Sequence, residues 1–446
     1  MAEDTGREAV MRWRTEALWE YARGALWVLP GISLIAALVL GALLSKVRVG
    51  AGMPVQRLLF QGTADDARTL LIGITGTVIT VIALVLGLTL VALQLSSTQY
   101  SPRVLRNFLR DRPNQVFLSV IVATFAYSAA GLYTVGVSAG RRTASYPQLA
   151  VTVAVVLLFV SLGALIFFLD HLAHSIQIDR LMAVIERATM QVIVDEARGA
   201  PDRSGDGQVP ESPARAVAVH ARKDGYVQTV HPELLVPLAE RLQVIVRIVP
   251  LVGDYVVPGH PIAYAWRTSM EQQPPDPRDL AGAVQHAVRV GVERTLQQDV
   301  RFGLRQLVDI ALRALSPAVN DPYTGIQAIH RLTVLLCALA TRPLGDYMVT
   351  GRDAVAGAVV HAPSFEDFVD LACGLIRRYG ASEPTVTTAL LRMLQDVQDL
   401  VTDPGRHQVL AKEARLVMSD AERATLQPAD LRAVRDQAAS LLRGES

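Results

Sequence analysis

A chain of 446 residues with 51% hydrophobic residues and a mean hydropathy of +0.30 is too apolar for an ordinary soluble protein, while 19% charged residues are too many for one embedded wholly in lipid. A formal net charge of +1 excludes a global electrostatic case for nucleic acid. The two cysteines, Cys337 and Cys373, make no disulfide framework and fit a reducing compartment.

Residues 1–25 predict an interfacial helix, with Val10, Trp13, Ala17, Leu18 and Tyr21 on one face and Arg12, Arg14 and Arg23 largely off it. Four apolar runs without a charged residue follow, at 26–44, 71–93, 116–138 and 149–169. Each has about 19 to 23 residues, which at about 1.5 Å per residue matches a hydrocarbon layer of about 30 Å. Lipid offers backbone groups no partner, so these runs predict helices forming one transmembrane domain over 26–170. Pro30-Gly31 predicts a kink near the start of the first. No clear small-x-small cleavage site follows Leu44, so that run reads as a span and not as a removable leader.

Orientation follows from the arginines. Arg7, Arg12, Arg14 and Arg23 precede the first span, and Arg103, Arg106, Arg110 and Arg112 lie between the second and third. The other side carries Lys46, Arg48, Arg57 and Arg68, diluted by Asp65 and Asp66, and then Arg141 and Arg142. Cytoplasmic loops retain excess positive charge, so the N-terminus and the region after the fourth span are expected in the cytoplasm of a bacterial plasma membrane.

The second span differs from the others. Gly73, Thr80, Gly87 and Gln94 recur every seven residues, and Gly76, Thr77 and Ala83 fill the same face. Small and hydroxylic residues allow close helix packing. The same face is also a candidate lining for a polar pathway in a homo-oligomer. No ionisable residue lies within a span, so the usual mark of a proton relay or charged intramembrane site is missing. Beyond the span runs a polar exit, VALQLSSTQYSPRVLRNFLRDR from Val91 to Arg112, which carries Ser96, Ser97, Gln99, Arg103 and Arg106.

This exit resembles the signature of the bacterial predicted-membrane-protein family of unknown function numbered 2254. A second matching stretch is the histidine-rich exit of the fourth span, Asp170-His171-Leu172-Ala173-His174-Ser175-Ile176-Gln177. A third is DVRFGLRQLVDIALRALSPAVNDPYTGIQAIHRL from Asp299 to Leu332. The resemblance implies a multi-pass membrane protein in contact with the lipid bilayer and implies no particular activity. Asp170, His171 and His174 can share a helical face and are weak candidates for a metal site; interfacial hydrogen bonding or packing is the favoured reading of them.

Residues 171–198 predict a helical extension of the fourth span, and GAPDRSGDGQVPESPA marks a linker over 199–214. Residues 215–267 predict a small β-rich module whose order resembles lipoyl- and biotinyl-like hairpin domains. A carrier role is unsupported, because Lys223 does not sit at a hairpin tip. Residues 279–446 predict a helical domain. The expected fold class is therefore mainly α, with four transmembrane helices followed by a cytosolic α+β region.

Within Asp299 to Leu332, Leu304, Leu307, Val308, Ala311 and Leu315 form an apolar stripe with Arg301, Arg305 and Asp309 beside it. Ser316-Pro317 stops that helix, and Asp321-Pro322 opens the next with Asp as N-cap and Pro at the first position. Arg301, Arg305, Asp309, Asn320, Asp321 and Thr324 then form either a polar pocket for a small anionic ligand at a helix N-terminus or a structural network of ion pairs and caps.

No phosphate-binding glycine loop, GxSxG elbow, HExxH, paired CxxC or post-strand GxGxxG occurs, so no enzyme class and no cofactor is called for. Three readings result. The first is an oligomeric channel-like or transport-related protein with a cytosolic regulatory domain. The second is a non-transporting scaffold or sensor whose cytosolic domain binds a partner protein or small ligand. A membrane metalloenzyme comes third and needs Asp170, His171 and His174 as ligands.

Overall fold

The computed structural model describes residues 27–45, 59–99, 112–135, 137–138, 141–142, 146–175, 178–199, 209–269, 273–351, 355–425 and 427–442. The expected interfacial helix over 1–25, Arg103 and Arg106 lie outside these residues, as do the side chains of Gln94, Ser96, Ser97, Gln99 and His174. The chain divides into two compact units, Met1–Gln177 and Ile178–Ser446.

The first unit is built from α1 (Val28–Leu44), α2 (Ala64–Gln99), α3 (Arg112–Thr134) and α4 (Gln148–Ser175). Pro30 falls in the first turn of α1, where its missing N–H is not needed, so it opens this helix and does not kink it. Thr63 and Asp66 start α2 with a reciprocal cap: the Thr63 N–H donates to Asp66 Oδ2 at 2.8 Å, and the Asp66 N–H donates to Thr63 Oγ1 at 3.2 Å.

The hub is α3, against which α1, α2 and α4 all pack. Its Phe117 stacks on Phe168 of α4 with centroids 4.3 Å apart, and Thr124 and Ser161 join by hydroxyls at 2.7 Å. Tyr127 is buried and donates to the Ala150 carbonyl at 3.1 Å. After Thr134 the chain turns through a two-stranded antiparallel ribbon, β1 (Val137–Ser138) with β2 (Arg141–Arg142), so the helix stops short of the expected Ser138.

Large apolar side chains cover the outside of this unit, including Ile35 on α1, Ile72 and Leu90 on α2, and Phe159 and Ile166 on α4. An apolar surface this extensive requires a lipid cover. Helices Ala64–Val91, Arg112–Tyr133 and Gln148–His171 are long and apolar enough to cross a membrane; Val28–Leu44, at 17 residues, is at the lower limit of a crossing.

The second unit combines a helical body with two sheets. The helical body comprises α5 (Ile178–Gly199), α8 (Val300–Ala314), α9 (Pro322–Ala340), α10 (Phe365–Tyr379), α11 (Pro384–Gln398), α12 (Pro404–Ala424) and α13 (Pro428–Leu442). Its core gathers Ile185, Leu304, Leu336, Cys373 and Leu394, all buried. Helix α9 also passes the length and composition test for a span, yet half of that window is buried, and α5, α8, α10 and α11 pack around it. It is an interior helix.

The sheets use β3 (Val217–His220), β4 (Gly225–Val230), β5 (Val244–Ile248), β6 (Tyr255–Val256), β7 (Pro261–Arg267), β8 (Val288–Gly291), β9 (Tyr347–Thr350) and β10 (Gly357–Val360), with helices α6 (Val236–Leu242) and α7 (Pro277–Ala287) alongside. The orders are β3-β7-β5-β10-β9 and β6-β4-β8. The hairpin pattern expected over 215–267 describes this region only in part, because β8, β9 and β10 come from outside it. Strand β10 pairs in parallel with β5, placing Ala358 opposite Val246, so the sheet closes with a hairpin lying between α9 and α10 in the chain.

Close approach of α5 and α8 depends on Gly303: a Cβ there would overlap the Thr189 side chain, which is itself fully buried. Gly303→Ala gains about 1 kcal/mol of helix propensity, but overpacking at such a contact costs about 1–3 kcal/mol. Gly303→Ala is therefore expected to lower the unfolding midpoint in a thermal or denaturant melt. Adding Thr189→Ala should recover part of the loss.

Candidate functional site

Within the second unit the helical body and the sheets enclose a cavity of about 630 Å³. Helices α5, α8, α9 and α10 contribute Val192, Val300, Leu339 and Phe368, and β4, β9 and β10 contribute Val230, Tyr347 and Val360. Asp195, Glu196, Glu233, Gln297, Gln298, Arg301, His231 and His361 supply polar lining.

Local hydrogen bonding fixes most of these groups. His231 Nδ1 lies 3.0 Å from Glu233 Oε1. His361 Nδ1 lies 2.6 Å from Asp346 Oδ1, and Asp346 also accepts from the Arg247 guanidinium and from the Ala362 N–H at 3.2 Å. Gln298 Oε1 accepts from the Val230 N–H at 2.8 Å, which joins the loop before α8 to β4.

At the start of α8, Asp299 accepts from the Phe302 N–H at 2.9 Å and from Arg294 Nη2 at 3.0 Å, while Arg294 also lies over the Phe302 ring. Burial pushes the Asp299 carboxyl above its ordinary range, opposed by the Arg294 guanidinium. Gly253, with φ +92, lies so close that a Cβ would overlap this ion pair. The next residue, Asp254, receives Arg301 Nη1 at 3.4 Å. The Gly253-Asp254 turn is thereby docked on the first turn of α8.

The residues singled out in the Asp299 to Leu332 motif do not converge. Arg301 reaches the cavity. Arg305 Nε donates to Asp309 Oδ1 at 2.7 Å along α8. Asp321 caps α9, accepting from the Thr324 N–H at 3.1 Å and the Thr324 hydroxyl at 2.6 Å, and Asn320 takes a left-handed φ of +50 at the corner. The N-termini of α8 and α9, where an anion would be held, each already carry a carboxylate of the chain. The neighbouring pair His231 and Glu233 and the distant His361, all missed from sequence, line the cavity from two stretches of chain that only packing brings together.

In the first unit, α2 buries Ala67, Leu71, Ile74, Val78 and Val85. Gly73, Gly76, Thr77, Thr80 and Gly87 lie on exposed positions, and a Cβ at Gly73, Gly76 or Gly87 would meet no atom within 4 Å. Among the described residues, the small-residue face is therefore not used for packing within its own unit. The Thr80 hydroxyl donates back to the Gly76 carbonyl at 3.1 Å. At the end of α4, Asp170 is exposed and the His171 ring stacks on Phe167. Among the described residues no group of three or more His, Cys, Asp or Glu is placed to hold a metal ion.

A family described as predicted membrane protein (DUF2254) matches residues 23–396. The chain belongs to this family. The family match takes in α1 to α10, both sheets and most of α11. The uncharacterized protein Rv1290c of Mycobacterium tuberculosis strain H37Rv is 44% identical over 413 residues, covering 92% of this chain and 78% of the relative. The uncharacterized protein Mb1321c of Mycobacterium bovis shows the same identity and coverage. The uncharacterized protein MT1328 of Mycobacterium tuberculosis strain CDC 1551 is 43% identical over the same shares of each chain. No solved structure matches the chain.

Gly253→Ala should destabilise the second unit by about 2–4 kcal/mol, since it adds both left-handed strain and a clash with a buried ion pair. In an Asp299→Ala background the same change should cost less, so a double-mutant cycle read by denaturant unfolding should give a clear coupling energy.

Proposed function

We propose that this membrane protein is an oligomeric, channel-like or transport-related protein of the bacterial plasma membrane, with its N-terminus and second unit in the cytoplasm and the second unit regulating the first. The observation that carries this reading is the outward face of α2. Gly73, Gly76, Thr77, Thr80 and Gly87 form small-xxx-small steps that leave the backbone open to a neighbour, and the unit's other described helices leave that face uncovered. Small residues at such spacing let two helices approach closely, and threonine hydroxyls add hydrogen-bonding capacity across the contact. The cytoplasmic placement of both ends rests on Arg7, Arg12, Arg14 and Arg23 before the first span and Arg103, Arg106, Arg110 and Arg112 between the second and third.

Cross-linking in native membranes tests the assembly. Thr80→Cys is expected to give a disulfide-linked dimer on mild oxidation, whereas Phe167→Cys, on an exposed face of α4, is not. Flux into reconstituted liposomes tests the activity: ion or solute flux that falls when Gly76 is replaced by Leu supports a pathway at this face. Cross-linking without flux leaves the assembly and removes the channel.

A second reading, a non-transporting membrane-anchored sensor, is favoured by the cavity in the second unit, whose volume of about 630 Å³ suits a small ligand. Its test uses the full chain or a fragment that begins at Ile178. Met182, Ile185, Val192 and Ile193 of α5 belong to the helical core, so a fragment beginning near residue 215 is expected to aggregate or melt at lower temperature.

A further inference from the structure

We infer that the corner between α8 and α9 in the second unit docks on the anionic lipid surface of the membrane that carries α4, an inference independent of the channel and sensor readings. The corner is the stretch SPAVNDP from Ser316 to Pro322, and Pro317, Ala318, Val319 and Asn320 are all exposed. Tyr323, in the first turn of α9, is 70% exposed, and Tyr379, at the end of α10, is 61% exposed. Leu315 brings the two helix ends together: a Cβ at Gly325 of α9 would lie 3.1 Å from its side chain, and one at Gly380, which caps α10, 3.4 Å. Exposed rings and an aliphatic side chain beside guanidinium groups suit the headgroup layer, where amphipathic rings settle and basic groups meet phosphate.

The connection between α4 and α5 decides the occupant. The apolar segment of α4 runs to His171 and the helix to Ser175, and α5 begins at Ile178. Four helical residues and a three-residue step reach at most about 17 Å, so the start of α5 is tethered within reach of the headgroups. The corner lies at that same end of the helical body. Arg331 of α9 donates to Glu186 of α5 at 2.9 Å, and Arg342 donates to the Ile193 carbonyl, so the two helices run parallel. Tyr323 precedes Arg331 by eight residues and Ile178 precedes Glu186 by eight, which sets both about 12 Å along their axes from that ion pair. Positive charge is open at this end: Arg180, Arg313 and Arg378 are exposed and joined to no carboxylate among the described residues. Asp321 and Glu383 are taken up as caps of α9 and α11, which leaves Asp179 as the open acid in the first turn of α5. A surface of net positive sign with exposed rings, held by a short tether, is matched by anionic lipid.

Photo-cross-linking of the full chain in lipid nanodiscs tests this, with p-benzoylphenylalanine replacing Tyr323 or, as the control, Leu400, and with mass spectrometry of the adducts. Leu400 is exposed at the opposite end, in the connection to α12, whose Arg406 donates to the carbonyl of Ala340 at the end of α9. In discs containing phosphatidylglycerol, phospholipid adducts at the Tyr323 position are expected at about tenfold the yield of the control. Exchanging that lipid for phosphatidylcholine should lower the yield about threefold, and so should Arg313→Gln combined with Arg378→Gln. The lipid exchange reads the charge without any variant, and a thermal melt checks that the double variant stays folded. Adducts to a second copy or to another segment of the chain overturn the inference, as do phospholipid adducts no more frequent than at Leu400. Lipid adducts indifferent to both the headgroup and the arginines overturn it as well.

Discussion

Apolar helix surface must be covered by something other than water, and the two units of this chain differ in what covers it. Helices α2 and α9 both pass the length and composition test for a membrane crossing. In the first unit, α2 buries one narrow face and presents Ile72, Ile79, Leu84 and Leu90 outward. In the second, α9 is wrapped by α5, α8, α10 and α11, helices that carry charged residues on their exposed faces. Composition already separates the two, since α9 carries His330 and Arg331 and is the less apolar, but what covers each helix is supplied by other segments.

The same dependence on distant cover organises the second unit's polar groups. Arg294 and Asp299 form an ion pair desolvated enough to raise the carboxylate, and it is kept in place by Phe302, by the α8 first turn and by the close approach of Gly253. The loop that carries the pair also supplies cavity lining, so the docking of sheet on helix and the shape of the cavity have a common origin. Farther off, Arg377 is joined to Glu413 at 3.0 Å and also to Asp420, binding α10 to α12 with little exposed charge. Breaking one partner of such a pair leaves an uncompensated buried charge, which is why these contacts fix the arrangement of the helices.

Some of this was legible in the chain. The apolar runs announced the helices of the first unit, because a bilayer imposes a length and a composition that one segment satisfies alone. Asp321-Pro322 announced the start of α9, and Arg305 and Asp309 at i and i+4 announced their own pairing, since both are contacts within a few residues. Membership of the family was likewise carried by contiguous motifs. Strands β9 and β10 were not legible: each is four residues long, and they complete a sheet whose other members lie far upstream.

The sequence by itself determined the membrane class, the small-residue face of α2 and the capped corner between α8 and α9, all of which follow from local periodicity and short-range hydrogen bonding. Tertiary structure alone decided that this face points away from the other described helices of its unit, and which helices wrap α9. It also decided that His231, Glu233, His361 and Arg301 come near one cavity while Arg305 and Thr324 do not. The physical reason is range: a helix or a cap is stabilised by residues three or four apart, whereas a cavity and its charge are made by side chains from many elements, and only their packing brings them together.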